Sequence, residues 1–308
     1  MSSSPTSGVS SGENGRAILF MLAAMAGFIF NDSLTKLTAD HLPLGQIMFL
    51  RGLMAISLLL VLCFLDGSIR KLGLVFNPLI GLRVLAEVLG ALFYLKALFN
   101  MPLANATAIM QVQPLAITAG AALFLGAPVG WRRWSAIAVG FGGVLLIVRP
   151  GMAGFDAWSL WALAAVVCVV SRDLLTSRTP RNIPTYIITL ASLSGVAAAG
   201  AGLSSVETWV TPRAGDMAAL AAAACFILVG FVSIISAMRT GDISLVAPFR
   251  YSIILWAILI GYLVWGDVPD GQTLIGIGIL VVTGLYSLMR ERKLLRKPGP
   301  AAKATPLR

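Results

Sequence analysis

The 308-residue chain is short of charge: Asp, Glu, Lys and Arg make up 12% of it, against about 25% in soluble domains. It holds one histidine, His41, and three cysteines, Cys63, Cys168 and Cys225, each alone inside an apolar run. Without a CxxC pair these residues make neither a metal site nor a disulfide framework, and the thiols read as buried core. HExxH, GxSxG and paired-aspartate motifs are missing, so an integral membrane enzyme, the rival class, would have no catalytic cluster to work with.

What the chain has instead is apolar length. Hydrophobic residues make up 58% of it and its mean hydropathy is +0.89, which makes it an integral membrane protein. A net charge of +10 would suit nucleic acid, but the basic residues sit at the ends of apolar runs or in the last eighteen positions. Membrane topology accounts for them better. Residues 1–15 are Ser/Gly-rich and read as a disordered tail. The run that follows Arg16 resembles a signal peptide, yet it is the partner of an internal segment and carries Asn31 and Asp32, which argues against cleavage.

That partnership is a duplication. LAAMAGFIFNDSLTKLTADHLP at Leu22 to Pro43 returns 141 residues later as LAAVVCVVSRDLLTSRTPRNIP at Leu163 to Pro184, with eight identities in twenty-two positions, Asp32 matching Asp173. The same offset carries Pro128 to Pro269, Gly143 to Gly284 and Arg149 to Arg290. The expected layout is a first repeat over 16–150, a second over 157–290 and a basic tail over 291–308.

A helix needs about 20 apolar residues to cross the hydrocarbon. Ten runs qualify, at roughly 17–37, 43–65, 78–98, 103–125, 131–149, 157–177, 184–204, 216–237, 244–265 and 271–290. They are continuously apolar without strand alternation, so helices are expected rather than a barrel. One set of loops and tails holds Arg16, Arg70, Lys71, Arg132, Arg133, Arg178, Arg181, Arg239 and the tail cluster, whereas the other set holds Lys36, Arg149 and Arg213. By the positive-inside rule both termini are cytoplasmic. Five spans per repeat force the copies to face opposite ways. Their matching turns agree: GAPVGWRRW in the first repeat is GDVPDG in the second.

Four stretches carry a resemblance to a known family: NDSLTK at Asn31–Lys36, LPLGQIMFLRG at Leu42–Gly52, WRRWSAIAVGFGGVLLIVRPG at Trp131–Gly151, and APFRYSIILWAILIGYLVWGDVPD at Ala247–Asp270 followed by GLYSLMRE. On these the chain resembles the drug/metabolite transporter superfamily, EamA type, over residues 16–292. The resemblance implies an all-α membrane protein of ten helices in two inverted five-helix repeats, in the bacterial inner membrane. It implies a secondary transporter that is not an enzyme, needs no cofactor and moves a small metabolite by alternating access. The ND, LRG and APxRY elements look most like the branch of riboflavin and S-adenosylmethionine uptake proteins, with riboflavin uptake the first expectation. S-adenosylmethionine uptake, and export of amino acids, other metabolites or drugs, are the alternatives. No Walker A loop is present, so direct ATP coupling is disfavoured; a proton, another ion and facilitation stay open as driving modes, as does direction.

Ionisable residues inside a span are costly and mark function or pairing. Asp32 lies about 22 Å along the first helix, and Arg51, deep in the second, needs a partner; Asn31, Asp32 and Arg51 are read as static glue or a gate. Asp173 has Arg172 beside it and reads first as a local interfacial pair with a snorkelling arginine, with part of a gate as the alternative. Arg83, Glu87 and Tyr94 share one face of the third span and have no counterparts in the second repeat, so they are read as substrate contacts or as packing. Gln111 and Gln113, beside Pro114, bond either backbone or ligand, and Arg250 with Tyr251 faces either the interface or a cavity. Trp131, Trp134, Trp158, Trp209 and Trp265 read as interfacial belt. Glycines 140, 142, 143, 276, 278 and 284 suit close helix packing, within the chain or between two copies of it.

Overall fold

The computed structural model describes residues 11–65, 67, 73, 77–127, 129–150, 156–180, 183–240 and 243–295. Of the positions used above for orientation and repeat matching, Arg70, Lys71, Pro128, Gly151, Arg181, residues 1–10 and residues 296–308 lie outside these.

The elements are α1 (Ser11–Thr38), α2 (Leu44–Leu65), α3 (Pro78–Asn100), α4 (Leu103–Met110), α5 (Gln113–Leu125), α6 (Trp131–Val148), α7 (Trp158–Ser177), α8 (Thr185–Ser204), α9 (Ala214–Thr240), α10 (Ile243–Val246), a 3-10 turn (Ala247–Tyr251), α11 (Ser252–Trp265) and α12 (Gly271–Leu295). Among the described residues there is no strand, and ten helical runs are long and apolar enough to span a membrane. Each expected span is present. The first helix starts at Ser11, so positions 11–15, expected in the tail, are helical.

Local chemistry sets the helix ends. Asn77 caps α3 by accepting the Leu79 N–H at 2.9 Å, with Pro78 at the first helical position, where its missing N–H costs nothing. Gly126 and Gly266 stop α5 and α11 in the left-handed conformation, at φ 67° and 72°, the usual glycine stop. Arg149 does the same for α6 at φ 53°, the one non-glycine with positive φ among the described residues.

The helices pair as a two-fold axis between the repeats demands. α1 packs on α9 and α3 on α7, each pairing being the image of the other, while α2–α8 and α6–α12 map onto themselves, and α4 of the fourth span packs on α11 of the ninth. Buried Leu98, Leu103, Ile109, Leu115 and Leu280 lie in the core where these pairs meet. In lipid, where apolar surface has no water to escape, such pairs depend on close contact. A Cβ on Gly143 would stand 3.0 Å from the Gly276 carbonyl oxygen, and one on Gly276 would stand 2.7 Å from that of Gly143. Gly140 lies under Leu115 and Gly284 under the Tyr251 hydroxyl, whereas Gly142 and Gly278 meet nothing within 4 Å. Four of the six glycines expected in packing are thus used inside the chain.

One end of the bundle, here the distal face, carries the α1–α2 and α8–α9 connections; the other, the termini face, carries the start of α1 and the end of α12. On the distal face Gln46 gives its Nε2–H to the Val210 carbonyl at 2.6 Å and accepts the Val210 N–H at 3.1 Å. The Gly45 N–H donates to Glu207 Oε2 at 2.8 Å, and His41 Nδ1 lies 2.7 Å from Asp216 Oδ2. Beneath this latch α2 and α8 touch backbone to backbone: a Cβ on Gly45 would come within 2.7 Å of the Ser204 nitrogen, and one on Gly200 within 2.6 Å of the Phe49 nitrogen. Toward the termini face the same pair is spaced by Leu59, Cys63, Leu190 and Tyr186.

Arg149 also closes the distal end of α6 on α12, pairing with Asp270, which accepts the Thr273 N–H at 2.8 Å. The guanidinium, then that N–H, hold the Asp270 carboxyl well below the usual carboxylate range. A depressed native value means that the pair stabilises above the unfolded-state value of about 4, and that this is lost as pH falls through the native value. Asp270→Asn should therefore cost the same thermal stability near pH 7 and near pH 5 and less near pH 3, by an amount small for a half-exposed pair. A deficit that grows on acidification would refute this.

Candidate functional site

The fourth and ninth spans, which contribute α4 and α11, are both interrupted. α4 stops at Met110; the Gln111 N–H is shared between the Thr107 and Ala108 carbonyls at 3.2 and 3.1 Å, and α5 begins at Gln113 with Pro114 in its first turn. In the ninth span α10 gives way to the 3-10 turn containing Pro248 before α11 begins. Proline lacks the N–H that would continue the ladder. The half-helices α5 and α11 thus have their N-termini, which carry partial positive charge, inside the bundle rather than at its surface.

Two polar clusters flank these breaks. In the distal one Arg51 Nη1 donates to Asn31 Oδ1 at 3.2 Å, Asn31 Nδ2 donates to Asp32 Oδ1 at 2.9 Å, and the Tyr94 hydroxyl donates to Asp32 Oδ2 at 2.5 Å. Asn31, 3% exposed, therefore stands between the arginine and the aspartate that the sequence pairs directly. The reason is rotational: adjacent helical positions diverge by about 100°, so Asn31 reaches α2 while Asp32 reaches α3. Above them Lys36 Nζ donates to the Met101 carbonyl at 2.5 Å and lies 5.1 Å from the centre of the Trp265 ring.

The second cluster lies nearer the termini face. Arg172 bridges helices, with Nη1 donating to Glu87 Oε1 at 3.0 Å and Nη2 lying 2.7 Å from Asp173 Oδ1. Asp173 Oδ2 accepts Gln113 Nε2–H at 3.0 Å. Arg83 Nη2 lies 3.6 Å from Glu87 Oε2, and Arg83 also donates to Thr176 Oγ1 at 2.8 Å and to Ser192 Oγ. Arg250, on the 3-10 turn, is near enough to Asp173 for their charges to interact. It is exposed, and among the described residues it forms no hydrogen bond or ion pair. The cluster thus holds three guanidinium groups against two carboxylates, and Arg250 is the spare cation.

The structure regroups the residues picked from sequence. Arg83 and Glu87 join Asp173 and Arg250, while Tyr94, about 10 Å further along α3, joins Asn31, Asp32 and Arg51. Asp173 is apart from the distal group. Gln113 is in the second cluster, and the half-buried Gln111 side chain makes no hydrogen bond among the described residues. Tyr251 is 6% exposed, packs on Gly284 and leaves its hydroxyl without a partner among the described residues. Sequence reasoning missed Ser192 and Thr176. The repeat held a signal for Ser192, which occupies the slot of Arg51.

A bundle of ten spans with two broken helices around a charged centre is a multi-pass membrane protein of the class that handles polar solutes within the bilayer. The chain belongs to the EamA-like transporter family, within the drug/metabolite transporter superfamily: the family model matches residues 15–149 and again 156–289. It is 26% identical over 227 residues to a riboflavin transporter of Rhizobium johnstonii, covering 70% of this chain and 72% of that one. It is 28% identical over 286 residues to the pseudopaline exporter CntI of Pseudomonas aeruginosa, covering 89% and 96%. To an S-adenosylmethionine uptake transporter of Rickettsia felis it is 24% identical over 285 residues, covering 90% and 94%. A solved crystal structure at 19% identity superposes with a TM-score of 0.65 over 92% of this chain and 100% of that one, a likeness of fold.

Proposed function

We propose that the chain is a secondary carrier that moves a small organic metabolite bearing an anionic group across the bacterial inner membrane by alternating access, with both termini cytoplasmic. The observation that carries this reading is Arg250, an arginine without a bonded partner beside a break in a membrane-spanning helix. Exposed and unbonded, that guanidinium is open to an anionic partner, and its planar fork suits a carboxylate in two-point contact. Glu87, Asp173 and the free Gln111 amide offer acceptors and a donor for the polar remainder of an amphoteric solute. Orientation rests on the distribution of lysine and arginine. Riboflavin is the second reading, favoured by the names of the Rhizobium johnstonii and Vibrio cholerae relatives. The bond from Tyr94 to Asp32 takes that phenol out of the Arg83–Glu87 group and weakens the flavin case.

Counterflow in proteoliposomes against riboflavin, S-adenosylmethionine, amino acids and opine-type polycarboxylates is the test. Saturable exchange of a carboxylate-bearing solute is expected, falling at least about tenfold in Arg250→Ala, as loss of a charge-assisted pair of about 1.5–3 kcal/mol requires, and recovering in part in Arg250→Lys. Riboflavin exchange that ignores Arg250→Ala would establish the second reading. Exchange of nothing in the panel by folded protein would count against both.

A further inference from the structure

Between α3, α5, α6 and α7 runs a groove of 740 Å³ that the polar clusters do not use. Its walls are apolar, with Leu82 and Leu85 on one side, Leu174 on the other and Ala119 between them. Leu85 and Leu123 are 53% and 67% exposed, so the groove is open to the surrounding lipid. It follows α5 from Val112, at the helix break, to Leu125, at the termini face, a rise of about 20 Å. Half of a hydrocarbon core is about 15 Å, so the groove belongs to one leaflet and ends at its water boundary.

At that end stands Arg178, the last of the groove's lining residues. One of its N–H groups donates to the Phe124 carbonyl at 3.3 Å; the others have no partner among the described residues, and no carboxylate there pairs with it. Trp131 and Arg132 open α6 at the same face, Trp131 74% exposed with the Arg132 guanidinium 5.4 Å from its ring, a pairing suited to the headgroup layer. An apolar slot one leaflet long with an unpaired guanidinium at its mouth matches an amphiphile with an anionic head. We propose that this groove is a binding site for one anionic phospholipid, with an acyl chain along α5 and the phosphate on Arg178. The site is separate from the carrier centre and does not depend on the solute proposed above.

Native mass spectrometry of the full chain, loaded with equal phosphatidylglycerol and phosphatidylcholine of the same acyl length, tests it. Retention of one phosphatidylglycerol at least fivefold over phosphatidylcholine is expected. Arg178→Gln should abolish that preference while leaving residual binding of both lipids. Leu123→Trp, at the open rim where folding tolerates bulk, should reduce both. Phosphatidylglycerol should raise the Tm of the wild type more than that of Arg178→Gln. Equal retention of the two lipids, a preference that survives Arg178→Gln, or a groove that proves to be an interface between two copies of the chain, seen as dimers lost in Leu123→Trp, would each overturn the proposal.

Discussion

Arg172→Ala should destabilise the protein more than any other single change in the charged centre. The guanidinium holds two carboxylates at once, Glu87 at 3.0 Å and Asp173 at 2.7 Å, so among the described residues its loss leaves Glu87 only the longer contact to Arg83 and Asp173 only the Gln113 amide and the unbonded charge of Arg250. Breaking a buried pair typically costs about 3–5 kcal/mol. The three side chains keep 22–31% exposure, so the low end, about 3 kcal/mol, is the better expectation. For a chain of this size that lowers Tm by roughly 4–5 °C. Arg83, 3.6 Å from Glu87, and Gln113, which is uncharged, make up only part of the loss. Neutralising the stranded groups, as Arg172→Ala with Glu87→Gln and Asp173→Asn, should restore most of the Tm. Solute exchange should stay low in that triple variant if the charges act on the solute. An unchanged Tm in Arg172→Ala would mean that water already screens the cluster.

Gly200→Ala should open the distal face. A methyl group there would sit 2.6 Å from the Phe49 nitrogen and 2.8 Å from the Gly45 carbonyl oxygen. Both are main-chain atoms that no rotamer change can clear, so α8 must move away from α2. The bonds from Gly45 to Glu207 and between Gln46 and Val210 span that same seam and cannot stretch far before failing. Amide exchange at Gly45 and Val210 is expected to rise at least about tenfold, equivalent to about 1.4 kcal/mol of lost protection. Gly202→Ala is the control, since a methyl group there meets nothing within 4 Å. Equal exchange in the two variants would show that the seam is not closed by glycine contact.

The spans and the duplication were legible in the sequence because lipid leaves few choices: every backbone group must be paired in a helix, and a carboxylate repeated at the same offset survives drift in the apolar residues. Partners were less legible. The spacing of Glu87 and Tyr94 establishes a shared helix face, but it does not tell which cluster lies opposite each when they are about 10 Å apart along the axis. The Asp32–Arg51 pairing was near the mark and missed the intervening Asn31, because which of two adjacent residues turns toward α2 depends on the rotation of the whole helix. Pro114 announced the break in the fourth span. The 3-10 turn at Pro248 did not stand out, as APFRY sits inside a run with no other interruption. The lipid-facing groove is a property of four helices together, and no short window of sequence contains it.

The glycines of the α2–α8 seam have no equals in the other repeat. The slots of Gly45 and Gly52 hold Tyr186 and Leu193, and the slot of Gly200 holds Leu59. Exchanging the roles of the two halves therefore cannot produce an equally tight seam at the termini face, so the two access states of the proposed carrier differ in energy. On the alternating-access mechanism proposed above, the resting population lies with the distal side shut. A solute arriving from that side meets only the minor fraction of molecules that is open to it, so its entry is slower and half-saturates at a higher concentration, even though the centre it finally reaches is the same. Transport from the two sides of the membrane will then half-saturate at two different concentrations, although the equilibrium affinity of the one binding centre is the same from both.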